Sequence, residues 1–72
     1  MKQKRKYTSA SDVLGVFELN PDGNYIAVKA FYKNKMKWEN VQFGVKLNNY
    51  LNDEDFTNPR EISEEELFLE VI

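Results

Sequence analysis

A chain of 72 residues with 12 acidic and 10 basic side chains, no cysteine and no histidine is one small domain, 1–72, without disulfide staples or zinc sites built on Cys or His. A domain of this size buries only roughly 60% of its unfolded surface, so its core must be carried by five Phe, four Tyr and one Trp, each able to bury about 150–250 Å². The net charge of −2 hides a strong sorting: Lys2, Lys4, Arg5 and Lys6 open the chain without an acid, whereas residues 48–72 carry eight acids against Arg60 alone. Such polarity either pairs the two ends of the chain or offers an acidic face to a basic partner.

Residues 1–11 read as a flexible basic segment, because Tyr7-Thr8-Ser9-Ala10-Ser11 is short and polar. No apolar stretch follows the basic opening, so neither a secretory leader nor a membrane span is expected, and a cytoplasmic protein is. The abundance of Asn and Lys suggests an AT-rich bacterial or phage genome. Val13–Leu19 is β-branched and aromatic and reads as a strand. It ends at Asn20-Pro21-Asp22-Gly23-Asn24, a turn in which Pro21 presets φ and Gly23 accepts a positive one. Tyr25–Tyr32 is the next strand, apolar on both faces and therefore covered on both sides.

Lys33-Asn34-Lys35 is the second turn, and a third strand is expected over Met36–Leu47. Its period slips: Met36 and Trp38 share one parity and Val41, Phe43, Val45 and Leu47 the other, so a β-bulge near Glu39-Asn40 would place all six on one face. A helix over 37–51 is the alternative, disfavoured by Gly44, Val41 and Val45. An acidic connection, Asn48–Asn58, follows, pinned by Tyr50, Leu51 and Phe56. Ser63 and Glu66 have capping-box spacing, with Ile62 and Leu67 at staple positions. The expectation is one helical turn at 63–66 leading into a closing strand, with a short helix through 71 as the other reading. All-β or β-rich α+β is the class: a small SH3-like barrel, or a three-stranded antiparallel meander with a C-terminal helical turn or strand.

Catalysis finds little support. No His or Cys is present, Ser9, Ser11 and Ser63 lack an activating partner, and no glycine-rich phosphate loop occurs. Neither an enzyme nor a cofactor is expected. Asn20, Asp22 and Asn24 alternate as calcium ligands do, but Tyr25 and Phe31 stand where an EF-hand needs Gly and Glu, which leaves a hairpin turn. Asp53, Glu54 and Asp55 are adjacent in a loop and diverge, so they are not read as a metal site.

The functional expectation is a non-enzymatic protein-binding module, of the kind a phage or mobile element uses to inhibit a host protein. Asp53, Glu54, Asp55, Glu61, Glu64, Glu65 and Glu66 would meet a basic surface, with Phe56, Leu67 and Phe68 as anchors. Nucleic-acid contact is the alternative: Lys33, Lys35 and Lys37 at a basic hairpin tip meet phosphates, Trp38 stacks on bases, and the basic opening assists. A third reading is a homo-oligomer that binds a nucleotide-like ligand between subunits through Tyr25, Tyr32 and Trp38.

Overall fold

In the computed structural model the described residues are 4–41, 44–52 and 59–72. They form five strands and two helices: β1 (Arg5–Ala10), β2 (Val13–Leu19), β3 (Tyr25–Tyr32), β4 (Lys37–Asn40), α1 (Leu47–Leu51), β5 (Arg60–Ile62) and α2 (Glu64–Val71). The strands make one antiparallel sheet in the order β4-β3-β2-β1-β5. The first four are a meander, and the connection carrying α1 takes the chain to the opposite edge, where β5 pairs with β1. The class is therefore β-rich α+β. The sheet is open, since β4 and β5 stand at opposite ends of the order. It is not closed into a barrel, and it has more strands than a three-stranded meander.

β2 and β3 have the bounds their composition predicts, and the turn between them is built by its own side chains. The Asn24 N–H donates to Asn20 Oδ1 and to Asp22 Oδ1, both at 3.1 Å, while Gly23 takes φ 91°. A register shift between Val16 and Phe17 places two β3 residues, Val28 and Lys29, against Val16. The bulge thus lies in β3 rather than near Glu39-Asn40. It brings Val28 onto the same face as Phe31, whereas strict alternation would oppose them. In β4 the slip of parity is real and needs no bulge. The Trp38 ring stands 5.2 Å from the Phe31 ring on one face, and Val41 lines a small apolar hollow with Phe17, Ala30 and Tyr50 on the other. The regular strand is confined to Lys37–Asn40, yet the chain keeps to the edge of β3, since Val41 N–H donates to the Val28 carbonyl and Ala27 N–H to the Val45 carbonyl. Leu47 begins a helix instead of ending a strand.

The largest departure is at the N-terminus. Arg5–Ala10 is no flexible segment but an inner strand, paired with β2 on one side and β5 on the other. Its small polar residues carry no hydrophobic period, and burial comes from the two flanking strands. Thr8, fully buried, is paired with Gly15 across the β1–β2 ladder and with Glu61 across β1–β5. Its hydroxyl has no hydrogen-bond partner among the described residues. A side chain on Gly15 would place its Cβ 2.5 Å from that hydroxyl and 3.1 Å from the Phe17 ring, so this position must be glycine for close approach alone.

The two faces are covered by different helices. On one, Leu14, Phe31, Ile62 and Leu67 form the core, with Tyr7 and Val71 packed against it. On the other, Tyr50 of α1 sets its ring 5.6 Å from that of Phe17. α2 follows the capping signature: Ser63 Oγ accepts from the Glu66 N–H at 3.2 Å, and three glutamates occupy the first turn. It runs as a helix through Val71, which overturns the closing strand. Leu67 and Val71, four residues apart, make one buried stripe, and the edge beside β1 is already taken by β5. Burying Leu67 stabilises the packing by about 2 kcal/mol.

Two substitutions test the β1–β2 contact by urea unfolding. Thr8→Val removes a buried, unpaired hydroxyl with little change of shape and is expected to raise stability by about 1 kcal/mol. Gly15→Ala is expected to lower it by about 1–3 kcal/mol, and Thr8→Ala in the same chain should recover part of that loss.

Candidate functional site

Ion pairs account for many of the charges. Arg5 meets Glu18 at 2.8 Å, Lys6 meets Glu61 at 3.9 Å, Arg60 meets Glu66 at 3.3 Å, and Lys33 is paired with Glu70. The basic opening and the acidic end therefore do meet, through Lys6 and Glu61, because β1 and β5 are neighbours. All four pairs are solvated, and screening by water leaves each little weight in stability. Their main consequence is to take Glu61, Glu66 and Glu70 out of the set of free acids. Glu64 and Glu65, at the start of α2, have no ion-pair partner among the described residues. Asp53, Glu54, Asp55 and Phe56 lie outside the described residues.

The basic hairpin tip is likewise divided. Lys33 is engaged by Glu70, and Lys35 stands over the Tyr32 ring at 5.5 Å from its centroid. Lys37 is exposed at the sheet edge. Trp38, on the opposite face of the same strand, turns toward α2. It reaches there a cleft of about 280 Å³ that brings together residues from both sequence-derived sites: Glu64 and Phe68 from the acidic set and Trp38 from the basic one. Tyr7, Val16 and Val28 floor this cleft, while Arg5, Glu18 and Lys29 stand at its rim.

The cleft lies beside α2, between its first turns and the Trp38 side of the sheet. The helix packs on β1 and reaches Phe31 of β3 through Leu67, yet Trp38 stays 40% exposed and Phe68 58% exposed. Phe68, Leu69 and Ile72 form a second apolar stripe on α2, turned away from Leu67 and Val71. A cleft of about 440 Å³ beside β1 and β5 is larger, but its Lys6 and Glu61 are paired with each other and its Arg5 with Glu18. Sequence reasoning missed Tyr7, Val16, Val28 and Lys29. The first lies in the segment read as flexible. The rest needed the bulge in β3 and the place of α2 before they could be assigned to one face.

Among the described residues no group of three or more acidic side chains converges as a metal site would require. What the arrangement offers is an open, partly aromatic surface with carboxylates at one end. Among the described residues no helix is long and apolar enough to cross a membrane.

One ionisation is perturbed by this packing. The Lys33 ammonium, through its hydrogen bond and its charge, holds the Glu70 carboxyl below its ordinary value of 4.5, with a smaller contribution from Arg60. A depressed carboxyl stabilises the fold fully above its unfolded value and loses that contribution as pH falls through the folded one. Stability is therefore expected to decline below pH 4.5 more steeply in the native chain than in Glu70→Gln, as read by thermal unfolding at a series of pH values. Comparison with known protein families, curated proteins and solved structures finds no match to this chain.

Proposed function

We propose that this protein is a non-enzymatic binding module that engages a basic-surfaced protein through the face formed by α2 and the Trp38 side of the sheet. The observation that carries this reading is the meeting of Trp38, Phe68 and Glu64 in one open cleft. Exposed aromatic side chains beside a concave surface supply the desolvated anchors of an interface. The unpaired carboxylates of Glu64 and Glu65 supply electrostatic steering toward a cationic partner. An apolar surface of this kind on so small a domain points to a partner.

The acidic reading is thereby narrowed. Glu61 and Glu66 already serve Lys6 and Arg60, so the charge that discriminates partners is assigned to Glu64 and Glu65. The nucleic-acid alternative is weakened for a parallel reason: Lys33 is held by Glu70, Trp38 faces a helix that carries carboxylates, and the net charge is −2. The inhibitor role, with a phage or mobile-element origin and action on a host protein, remains part of the proposal as the biological setting in which a short acidic decoy is useful.

The test is capture by the immobilised chain from a bacterial lysate at low salt, with mass spectrometry of what a salt step releases. A basic-grooved protein retained at about 50 mM salt and released by about 500 mM is expected. The Glu64→Lys, Glu65→Lys double variant should abolish retention, and Phe68→Ala should weaken binding by roughly tenfold or more. Retention that is indifferent to salt and to both variants would refute the charge-and-anchor reading.

A further inference from the structure

β4 is an edge strand of four exposed residues, and among the described residues nothing pairs with its outer side. In the β3–β4 ladder Tyr32 stands opposite Lys37 and Ala30 opposite Glu39, and two residues beyond Glu39 the Val41 N–H donates to the Val28 carbonyl. This alternation turns the peptide groups of Lys37 and Glu39 toward β3 and those of Trp38 outward, to the open edge. Natural proteins commonly blunt such an edge with charge, and here the charges are Lys37 and Glu39. Neither has an ion-pair partner among the described residues.

The order of these residues has a specific consequence under twofold symmetry. When two copies of β4 are laid antiparallel with the axis through Trp38, the outward peptide groups of the two Trp38 residues face each other as a hydrogen-bonded pair. In the same register Lys37 of each copy stands directly opposite Glu39 of the other. Both ion pairs fall on the face that carries α1, at the closely spaced positions of the ladder, where opposite charges stabilise and like charges oppose pairing. The two Trp38 rings fall together on the face that carries α2, reducing the exposure each now has. A charge pattern of the form cation, aromatic, anion is self-complementary only in this register. A shift by one residue would set Lys37 against Asn40 and Glu39 against Trp38.

We propose that β4 is a self-association edge, and that its occupant is a second copy of this chain, paired antiparallel about Trp38 to make one continuous ten-stranded sheet. The proposal is independent of the basic-partner reading. It uses the outer edge of β4, whereas that reading uses the cleft beside α2, and it leaves two such clefts side by side on one face.

The charge pattern makes a decisive experiment available by sedimentation velocity. The native chain is expected to reach a dimer within the range up to about 1 mM. Lys37→Glu alone and Glu39→Lys alone set like charges opposite each other twice per dimer, and each should weaken association by roughly tenfold or more. An equimolar mixture of the two single variants restores both opposite-charge pairs and should dimerise as the native chain does. The Lys37→Glu, Glu39→Lys double variant should do so as well. A native chain that stays monomeric across that range would overturn the proposal. So would a dimer indifferent to both single reversals, or single variants that remain monomeric when mixed.

Discussion

A five-stranded sheet has two faces to keep from water, and the described residues hold two helices, of five and eight residues, with which to do it. Most of what is distinctive in the structure follows from that shortfall. α2 seals one half of its face by placing Leu67 on Leu14, Phe31 and Ile62. Beside it Trp38 of β4 and Phe68 of α2 stay partly exposed, large enough to limit the loss and too exposed to remove it. On the opposite face α1 contributes Tyr50 against Phe17. In a larger domain the uncovered area would be a small fraction of the surface. In a 72-residue chain it weighs more, and it is the site to which function is assigned.

The second organising feature is the placement of β1. A strand flanked on both sides buries its inner residues whatever their hydrophobicity, and Thr8, Ser9 and Ala10 are buried for that reason rather than through apolar character. The cost appears as the unpaired Thr8 hydroxyl and as the requirement for glycine at position 15. The gain is electrostatic as well as structural. By lying beside β5, β1 places Lys6 next to Glu61, and the polarity seen along the sequence is partly cancelled in space. Among the described acids of the last 25 residues, Glu61, Glu66 and Glu70 are paired, and Glu64 and Glu65 have no ion-pair partner there.

The two proposed surfaces meet at Trp38 and are otherwise separate. The cleft uses the side of Trp38 that faces α2, and the edge of β4 uses its peptide groups and the two charges that flank it. Trp38 is common to both: its ring lines the cleft and would meet its copy across the twofold axis, while its peptide groups carry the strand pairing. Phe68, by contrast, belongs to the cleft alone, and Lys37 to the edge alone, which is what allows the two to be perturbed separately.

Local features were legible in the sequence wherever a few adjacent residues decide the outcome. The bounds of β2 and β3, the turn Asn20–Asn24 and the cap at Ser63 all follow from β-branching, positive φ at Gly23 and a side-chain acceptor three residues before Glu66. The tertiary structure decided what depends on distant partners. β1 is a strand because β2 and β5 bracket it, α2 stays helical through Val71 because the adjoining edge is occupied, and the bulge falls in β3 because that strand must follow β2. The site shows the same division. Glu64, Phe68 and Trp38 were each identifiable as unusual residues by type and neighbourhood. Their meeting in one cleft joins positions 64 and 68 to position 38, and no period within a strand or a helix encodes a contact across that separation.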